Sequence, residues 1–423
     1  MGTRPGAPST AEHRAPKRPA ASVSRPALLV AFPRPAGLPF EIGEPLGRDW
    51  LADHDVPDYE VSGRHFELGR EGSRFRIRDV GSRNGTWLDG RPLIANEWQS
   101  LEDGAVLRLG STLLVFREAL VGPLAPAPPV GALVGPYGLR HVAASLATLA
   151  AHPPGNVLIL GETGAGKELA ARAVAEALDR AHPYAAVNVA GVASGVFESQ
   201  LFGHVAGAFS DARKAARGII ASHEGGTVFL DELGELPLDL QPKLLRLLEN
   251  RELLPVGAER PHQVDILLVA ATNRDLAEMV AQDRFRQDLL ARLEANTLEL
   301  PPLRQRSEDV FPIARHLAPT LGQTLAPDHC EVEAVERLLL DPWPTNVRGL
   351  QATLSKLRTL DPEPGLHLWS VENVLGPAPS SRRDDGLTPE RLQQALEASG
   401  GNESQAARHL GITRGKLRRL LGK

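Results

Sequence analysis

Two carboxylates, one lysine and a run of glycines set the chemistry of this chain. The run is Gly161, Glu162, Thr163, Gly164, Ala165, Gly166, Lys167, Glu168. It follows Asn156-Val-Leu-Ile-Leu160, an apolar stretch that reads as a buried parallel strand, and precedes Leu169 to Leu178, rich in strong helix formers. Strand, glycine loop and helix in that order make a phosphate cradle. The glycines let the backbone curl so that successive N–H groups face one anion, and the helix N-terminus adds its partial positive charge. Lys167 then reaches the β- and γ-phosphates as a point charge. The generic pattern places Ser or Thr after the lysine for Mg²⁺; Glu168 stands there instead. Further along, Gly226 to Glu232 is an apolar strand ending in two carboxylates. Asp231 suits Mg²⁺, and Glu232 suits polarising an attacking water. The strand Ile266 to Asn273 ends in an amide able to report on a γ-phosphate. Arg286 and Arg292, taken alone, read as solvated helix charges.

The elements that must hold these groups imply several domains. A chain of 423 residues is long enough for two or three. An apolar fraction of 42% is ordinary for a soluble globular protein, and no apolar run approaches a membrane span. The start is Pro- and Arg-rich rather than basic and then apolar, so no secretory signal is expected. The single cysteine, Cys330, rules out an internal disulfide framework and fits a reducing cytoplasm. A net charge of −5 offers no global attraction to nucleic acid, so DNA contact needs a local patch. Residues 1–26, with prolines and arginines interleaved, cannot bury enough apolar surface to offset ordering and read as a disordered tail.

From residue 27 to 118 the pattern is all-β, with short alternating runs such as Phe75-Arg-Ile-Arg78 and Val106-Leu-Arg-Leu109 broken by Gly, Asp and Asn turns. Leu46-Gly-Arg48, Val61-Ser-Gly-Arg-His65, Asp79 to Thr86 and Leu101-Glu-Asp-Gly104 occur in the order and spacing of a forkhead-associated (FHA) domain. This segment resembles that family, a β-sandwich that binds phosphothreonine peptides through its loops. The resemblance implies that Arg48 and Ser62 hold the phosphate, that Asn84 holds the adjacent peptide backbone, and that Arg83 lies near the phosphate. A dianionic phosphate wants such a guanidinium and converging neutral donors. His65 matches a position that braces the loops. Gly63 stands where an arginine or other polar residue is common, which weakens the expected grip.

Residues 119–133 read as a Pro-rich, extended linker. From 134 to 376, alternating strands and helices imply a doubly wound parallel sheet, with an α/β core over 134–305 and a helical lid over 306–376. Glu198-Ser-Gln-Leu-Phe-Gly-His204, Gly226 to Glu232, Glu235-Leu-Pro, Gln241 to Arg246, Phe285 to Leu293, Pro301 to Arg306 and Trp343-Pro-Thr-Asn-Val-Arg348 resemble the AAA+ ATPase domain of bacterial enhancer-binding proteins. Those activators use ATP to remodel RNA polymerase carrying sigma-54. The family also has glutamate after the P-loop lysine, so Glu168 fits. The resemblance implies that Asn188 restrains Glu232 and that Asn273 is sensor I. It makes Arg286 and Arg292 fingers offered to a neighbouring subunit's ATP in a ring, taken from the family as a hexamer, and Arg348 sensor II. The family's sigma-54 contact loop reads Gly-Ala-Phe-Thr-Gly-Ala; here it is Gly207-Ala-Phe209-Ser210-Asp211-Ala212. Ser210 keeps the hydroxyl and loses the methyl. Asp211 replaces a glycine, adding a charge that is expensive to bury unpaired.

After a polar linker, 377–386, comes a helix-turn-helix pattern over 387–423. Gly401-Asn402, Ala406-Ala407 and Leu410 to Arg414 resemble the Fis-type DNA-binding domain of the same activators. The segment from Leu387 carries seven basic and three acidic residues. Thr413, Arg414 and Lys416 open the recognition helix, and Arg418 and Arg419 face phosphates. The expected whole is a cytoplasmic bacterial sigma-54 activator using ATP and Mg²⁺, bound to enhancer-like DNA and controlled by a phosphothreonine protein or a Ser/Thr kinase, with no membrane association. The alternative is a DNA-bound, phosphopeptide-reading ATPase that leaves sigma-54 alone and serves as repressor or scaffold.

Overall fold

Side-chain parity along three strands decides how the two larger parts of the protein meet. The structure, a computed structural model, describes residues 24–190, 194–209 and 212–377, with residues 393, 395–397, 399, 403, 406 and 417. The N-terminal part holds strands β1 (Ser24–Phe32), β2 (Ala36–Leu38) and β3 (Pro45–Leu46), helix α1 (Arg48–Asp53), then β4 (Phe66–Glu71) and β5 (Arg74–Asp79). It continues through β6 (Thr86–Leu88), β7 (Arg91–Pro92), β8 (Gln99–Leu101), β9 (Val106–Leu109) and β10 (Thr112–Val121). They form two sheets, β2-β1-β10-β9-β6-β7 and β3-β4-β5-β8. On β5 the alternation holds: Phe75 and Ile77 are buried and Arg74, Arg76 and Arg78, alternating with them, face outward, as in a sheet with one wet side. The sandwich begins three residues earlier than the composition implied, since Ser24 to Pro26 already belong to β1.

On β9 the alternation fails, because all four residues are buried. Leu107 and Leu109 enter the sandwich core with Leu28, Val30, Leu114 and Phe116. Val106, Leu113, Val115, Ala31 and Phe32 belong instead to a second core shared with Val310, Phe311, Ala314, Val335 and Leu350 of the C-terminal helices. The outer face of this sheet is therefore not a solvent face. Phe32 meets Phe311 edge-on, with ring centroids 4.9 Å apart. Arg108, outward by parity, donates from Nε to Glu336 Oε2 at 2.8 Å and stacks 4.2 Å over the Trp87 ring. Both side chains of that ion pair are 7% exposed.

The linker expectation is also corrected. Leu120 and Val121 lie within β10, and Leu120, Leu124 and Tyr137 pack on Ala27 and Leu29. The prolines set an extended backbone, and burial of these apolar side chains glues it to the sandwich.

The central part begins with α2 (Arg140–Ala151), β11 (Asn156–Leu160), α3 (Lys167–Ala177), β12 (Tyr184–Asn188), α4 (Ser194–Phe202), β13 (Gly203–His204) and β14 (Ala216–Arg217). Next come α5 (Ile219–Ser222), β15 (Thr227–Asp231), α6 (Gln241–Asn250), β16 (Glu252–Leu253), β17 (His262–Gln263) and β18 (Leu267–Thr272). Helices α7 (Leu276–Ala281) and α8 (Gln287–Glu294) and strand β19 (Thr297–Glu299) complete it. The main sheet is wholly parallel, in the order β12-β15-β18-β11-β19. Every residue of β18 is buried, as expected for a strand covered by helices on both faces. The lid is α9 (Val310–Leu317), α10 (Val332–Leu339), α11 (Asn346–Leu360) and α12 (Leu368–Leu375).

The Arg108–Glu336 pair carries a prediction. Arg108 Nη2 and Glu336 Oε1 have no partner among the described residues, and burial pushes the Glu336 carboxyl up against the pull of Arg108. Removing one partner of a buried pair costs about 3–5 kcal/mol, whereas an apolar replacement of both is often neutral or better. Arg108→Ala should therefore lower unfolding stability by about that amount, and Arg108→Met with Glu336→Leu should restore it, as read from urea unfolding of the full chain.

Candidate functional site

Sequence order brings the nucleotide residues to one end of the parallel sheet, where β11 lies between β18 and β19 and phosphates bind in such folds. Gly164 and Gly166 take φ of 77° and 108°, a region closed to most side chains. Close approach adds to this at Gly164, where a Cβ would come within 2.2 Å of the Thr345 carbonyl oxygen. Helix α3 starts at Lys167, so its first N–H groups point into the loop. Lys167 Nζ donates to the Gly161 and Glu162 carbonyls at 3.0 and 3.2 Å, and burial lowers its pKa. Backbone curl, helix terminus and half-buried ammonium together fit a nucleotide triphosphate.

The carboxylates arrive on β15. Asp231 ends the strand and accepts the Glu232 N–H at 2.9 Å. Glu232 turns out of the strand with φ 58° and is exposed. A non-glycine residue there is strained by about 1–3 kcal/mol, and such strain concentrates at functional positions. On the neighbouring strand Asn188 pairs in register with Asp231. Among the described residues its side chain accepts from Ala190 N–H at 2.7 Å rather than touching Glu232. Asn273 follows β18 and donates to Thr163 Oγ1 at 3.1 Å, which places it over the P-loop. Arg348 lies in the first turn of α11, its Cβ 2.9 Å from where a Gly164 Cβ would stand.

Other expected residues lie elsewhere. Glu168 faces Arg172 one helical turn on at 3.5 Å, on the surface of α3. Arg286 forks onto Asp288 at 3.0 and 2.7 Å at the start of α8. The Arg292 carbonyl accepts from Asn156 at the far end of β11, on the order of 13 Å from the P-loop along that strand. Both arginines are exposed. Phe209 is 45% exposed, its ring 4.9 Å from His204 beside the β13–β14 hairpin. Ser210 and Asp211 lie outside the described residues, as do Thr413, Arg414, Lys416, Arg418 and Arg419.

A second loop cluster crowns the sandwich. A Cβ on Gly47 would stand 2.1 Å from the Gly63 carbonyl oxygen, so this glycine lets Arg48 close on the 61–64 loop. Arg48 donates its Nε to the Val61 carbonyl at 2.9 Å and its backbone N–H to the Ser62 carbonyl at 3.0 Å. Ser62 Oγ accepts from Arg83 N–H at 3.1 Å, and Asn84 Nδ2 donates to the Glu60 carbonyl at 2.7 Å. These contacts draw Arg48, Ser62, Arg83 and Asn84 into one surface cluster. Gly63 is open, with nothing within 4 Å of an added Cβ.

Two buried groups brace that cluster. His65 Nδ1 receives the Ser62 N–H at 3.0 Å, so the proton sits on Nε2 and points to the Gly85 carbonyl at 3.2 Å. Asp79, given no role from sequence, takes the Gly81 and Ser82 N–H groups on Oδ1 and the Ser82 and Thr86 hydroxyls on Oδ2, between 2.6 and 2.8 Å. Its Asp-x-Gly-Ser spacing, an Asx turn, was the available signal. Asn346 and Arg304 were likewise missed as P-loop neighbours, for they approach it only through the tertiary fold.

The brace predicts a pH response. Burial lowers the His65 pKa against the pull of Asp79 and Asp58. For Asp79 burial acts upward, but the hydrogen bonds from Ser82, Thr86 and Gly81 outweigh it and leave the carboxyl low. In both cases the unfolded chain binds more protons than the native one as pH falls, so stability drops on acidification. The His65 contribution is complete above its unfolded pKa of about 6.5 and is lost below it; that of Asp79 is lost lower still, beneath about 3.9. Thermal melts at pH 7.5 and 5.5 should show a fall that is smaller in His65→Gln. An equal fall in both proteins would remove His65 as the cause.

Comparison with known proteins follows the same division. The model of the FHA domain matches residues 45–110, that of the Sigma-54 interaction domain 138–299, and that of the Bacterial regulatory protein, Fis family, 390–423. Transcriptional regulatory protein ZraR of Klebsiella oxytoca is 39% identical over 284 residues, 64% of this chain and 64% of that protein. DNA-binding transcriptional regulator NtrC of Rhizobium meliloti is 41% identical over 221 residues, 52% of this chain and 46% of that protein. Among solved structures, NtrX from Brucella abortus in complex with ATP superposes with a TM-score of 0.50 at 28% identity, covering 69% of each chain. The chain spans roughly half to two thirds of the length of these curated relatives. The chain carries, in order, an FHA domain, a Sigma-54 interaction domain and a Fis-family domain.

Proposed function

We propose that this protein is an ATP-hydrolysing, DNA-binding transcriptional regulator of the cytoplasm that remodels sigma-54 RNA polymerase under phosphothreonine control. The observation that carries the reading is the left-handed turn placing Glu232 outside the end of β15, beside Asp231 and level with the P-loop. In this reading Gly161 to Glu168 bind ATP and Lys167 neutralises its β- and γ-phosphates. Asp231 would hold Mg²⁺, which would supply Lewis-acid stabilisation of the phosphate charge. Glu232 orients the attacking water, and Asn188 withholds it until nucleotide signals. Asn273 and Arg348 sense the γ-phosphate from the core and from the lid.

Arg286, just before α8, and Arg292 within it, both exposed, serve the ATP of the next protomer. That requirement makes a ring, taken as hexameric, part of the mechanism. Glu232→Ala should retain nucleotide binding and lose turnover by at least two orders of magnitude; turnover within a few-fold of wild type would remove Glu232 from the chemistry.

For the sandwich, Arg48, Ser62 and Arg83 form the phosphate grip and Asn84 the peptide-backbone contact. A charge-assisted hydrogen bond contributes roughly 1.5–3 kcal/mol, so Arg48→Ala should weaken binding of a phosphothreonine peptide about tenfold or more. Gly63→Arg, which meets open space, should strengthen it. Titration of a phosphothreonine peptide library measures both; equal binding by wild type and Arg48→Ala would misplace the site.

A second reading is favoured by one observation, the Ser210-Asp211 sequence at the sigma-54 contact loop. An ATPase with that loop could remain on DNA, through Thr413, Arg414, Lys416, Arg418 and Arg419, as a repressor or phospho-dependent scaffold. Purified protein with polymerase and sigma-54 separates the two. ATP-dependent promoter opening supports the activator. Hydrolysis without opening, unrelieved by Asp211→Gly, supports the scaffold.

A further inference from the structure

The segment between the parallel sheet and the lid, Leu303 to Asp309, touches both ligand-binding parts of the protein. On one side it grips the P-loop. Arg304 forks onto the Glu162 carboxylate at 2.8 and 2.6 Å, and Arg306 reaches the Ala165 carbonyl at 3.4 Å. Leu303 N–H donates at 2.7 Å to Asn346 Oδ1, while Asn346 Nδ2 serves the Thr163 carbonyl at 3.0 Å and Glu162 at 3.2 Å. Asn346 is fully buried and lies two residues before Arg348. On the other side the same segment is held by the sandwich. Arg117, on the lid-facing parity of β10 with Leu113 and Val115, donates from Nη2 to the Gln305 carbonyl at 2.8 Å. The same guanidinium pairs with Glu308, a side chain only 3% exposed, through Nε at 3.3 Å and through Nη2. Its remaining nitrogen takes Asp103 at 3.1 Å, which ties it to its own sandwich. Asp309 then fixes the incoming chain by accepting from Tyr137 and Gly138 N–H at 3.1 and 3.0 Å.

We propose that Arg117, a residue of the FHA sandwich, is a positioning residue for ATP binding by the P-loop. It acts through the strut Leu303–Asp309. Residues 304 and 306 face the P-loop while 305 and 308 face Arg117, so a displacement of the sandwich displaces the cradle. Whatever shifts the sandwich on the lid changes nucleotide affinity, and nucleotide by linkage changes the sandwich to the same degree. The inference rests on the ATP reading above and adds to it the route by which the N-terminal domain reaches the nucleotide.

The test uses the full chain, with ATP turnover for KM and kcat and a fluorescent ADP for nucleotide affinity. Arg117→Met with Glu308→Gln removes the bridge without stranding a buried charge. It should raise KM for ATP and the Kd for ADP about fivefold or more, the lower end of ordinary coupling between sites, with kcat changed less than twofold. Arg117→Lys keeps the charge on Glu308 but lacks the planar fork, and should lie between wild type and the double variant. Adding Glu162→Gln should produce less than the product of the separate effects, because both changes act on one strut. Wild-type KM and Kd in the Arg117 variants, or effects that multiply, would overturn the inference. Lys167→Ala is the control: if it binds ADP normally, the nucleotide-site reading itself fails; if it does not bind while the Arg117 variants behave as wild type, only the strut fails.

Discussion

Among the described residues Arg306 heads the fully buried side chains by size, and its charge must be compensated where it lies. A guanidinium at 1% exposure has lost its water, and burial lowers its pKa against the pull of Asp309 and Glu308. An ion so placed is tolerable only with opposite charge and good acceptors close by. That demand acts where the lid meets the core: Arg306 reaches the Ala165 carbonyl of the P-loop at 3.4 Å, and Asp309, which pulls on its charge, holds the chain at Tyr137-Gly138. It also explains why the sandwich supplies Arg117. The Glu308 carboxylate is as buried as its neighbours and needs a cation of its own. The cluster adds charged partners to a junction that the Phe32–Phe311 contact and the Arg108–Glu336 pair also fix.

Both candidate ligand sites solve one problem, which is to present donors to an anion without desolvating a lone charge. The P-loop does it with backbone N–H groups freed by left-handed glycines and a helix start. The sandwich does it with side chains on loops whose backbone is tied by buried groups. His65 and Asp79 are buried, and their side-chain polar atoms hold the loops that carry Ser62, Arg83 and Asn84 and the strand start at Thr86. Rigid support below and exposed donors above is the arrangement that limits the ordering lost on binding.

Local sequence determined a great deal here. Strand, glycine loop and helix around Gly161 to Lys167, the paired carboxylates at 231 and 232, and the alternation on β5 depend on backbone preference and side-chain period within a few residues. They were readable for that reason. The family motifs added expectations that no spacing alone could supply, among them those for the distant Asn188 and Arg348.

Only the tertiary structure decided what lies on the far side of the sandwich. Period-two alternation says which side chains leave the core, and it put Arg108 and Arg117 outside. It cannot say whether outside means water or another domain. The lid supplies Glu336 and the segment leading into it Glu308, more than a hundred residues away in sequence, and these turn two apparent surface arginines into ion-pair partners, Arg108 at 7% side-chain exposure and Arg117 at 14%. The same holds for Asn346, whose φ of 54° and burial follow from where α11 meets the P-loop. A pattern within one strand carries information about one sheet; complementarity between two packed bodies is written in neither sequence segment by itself.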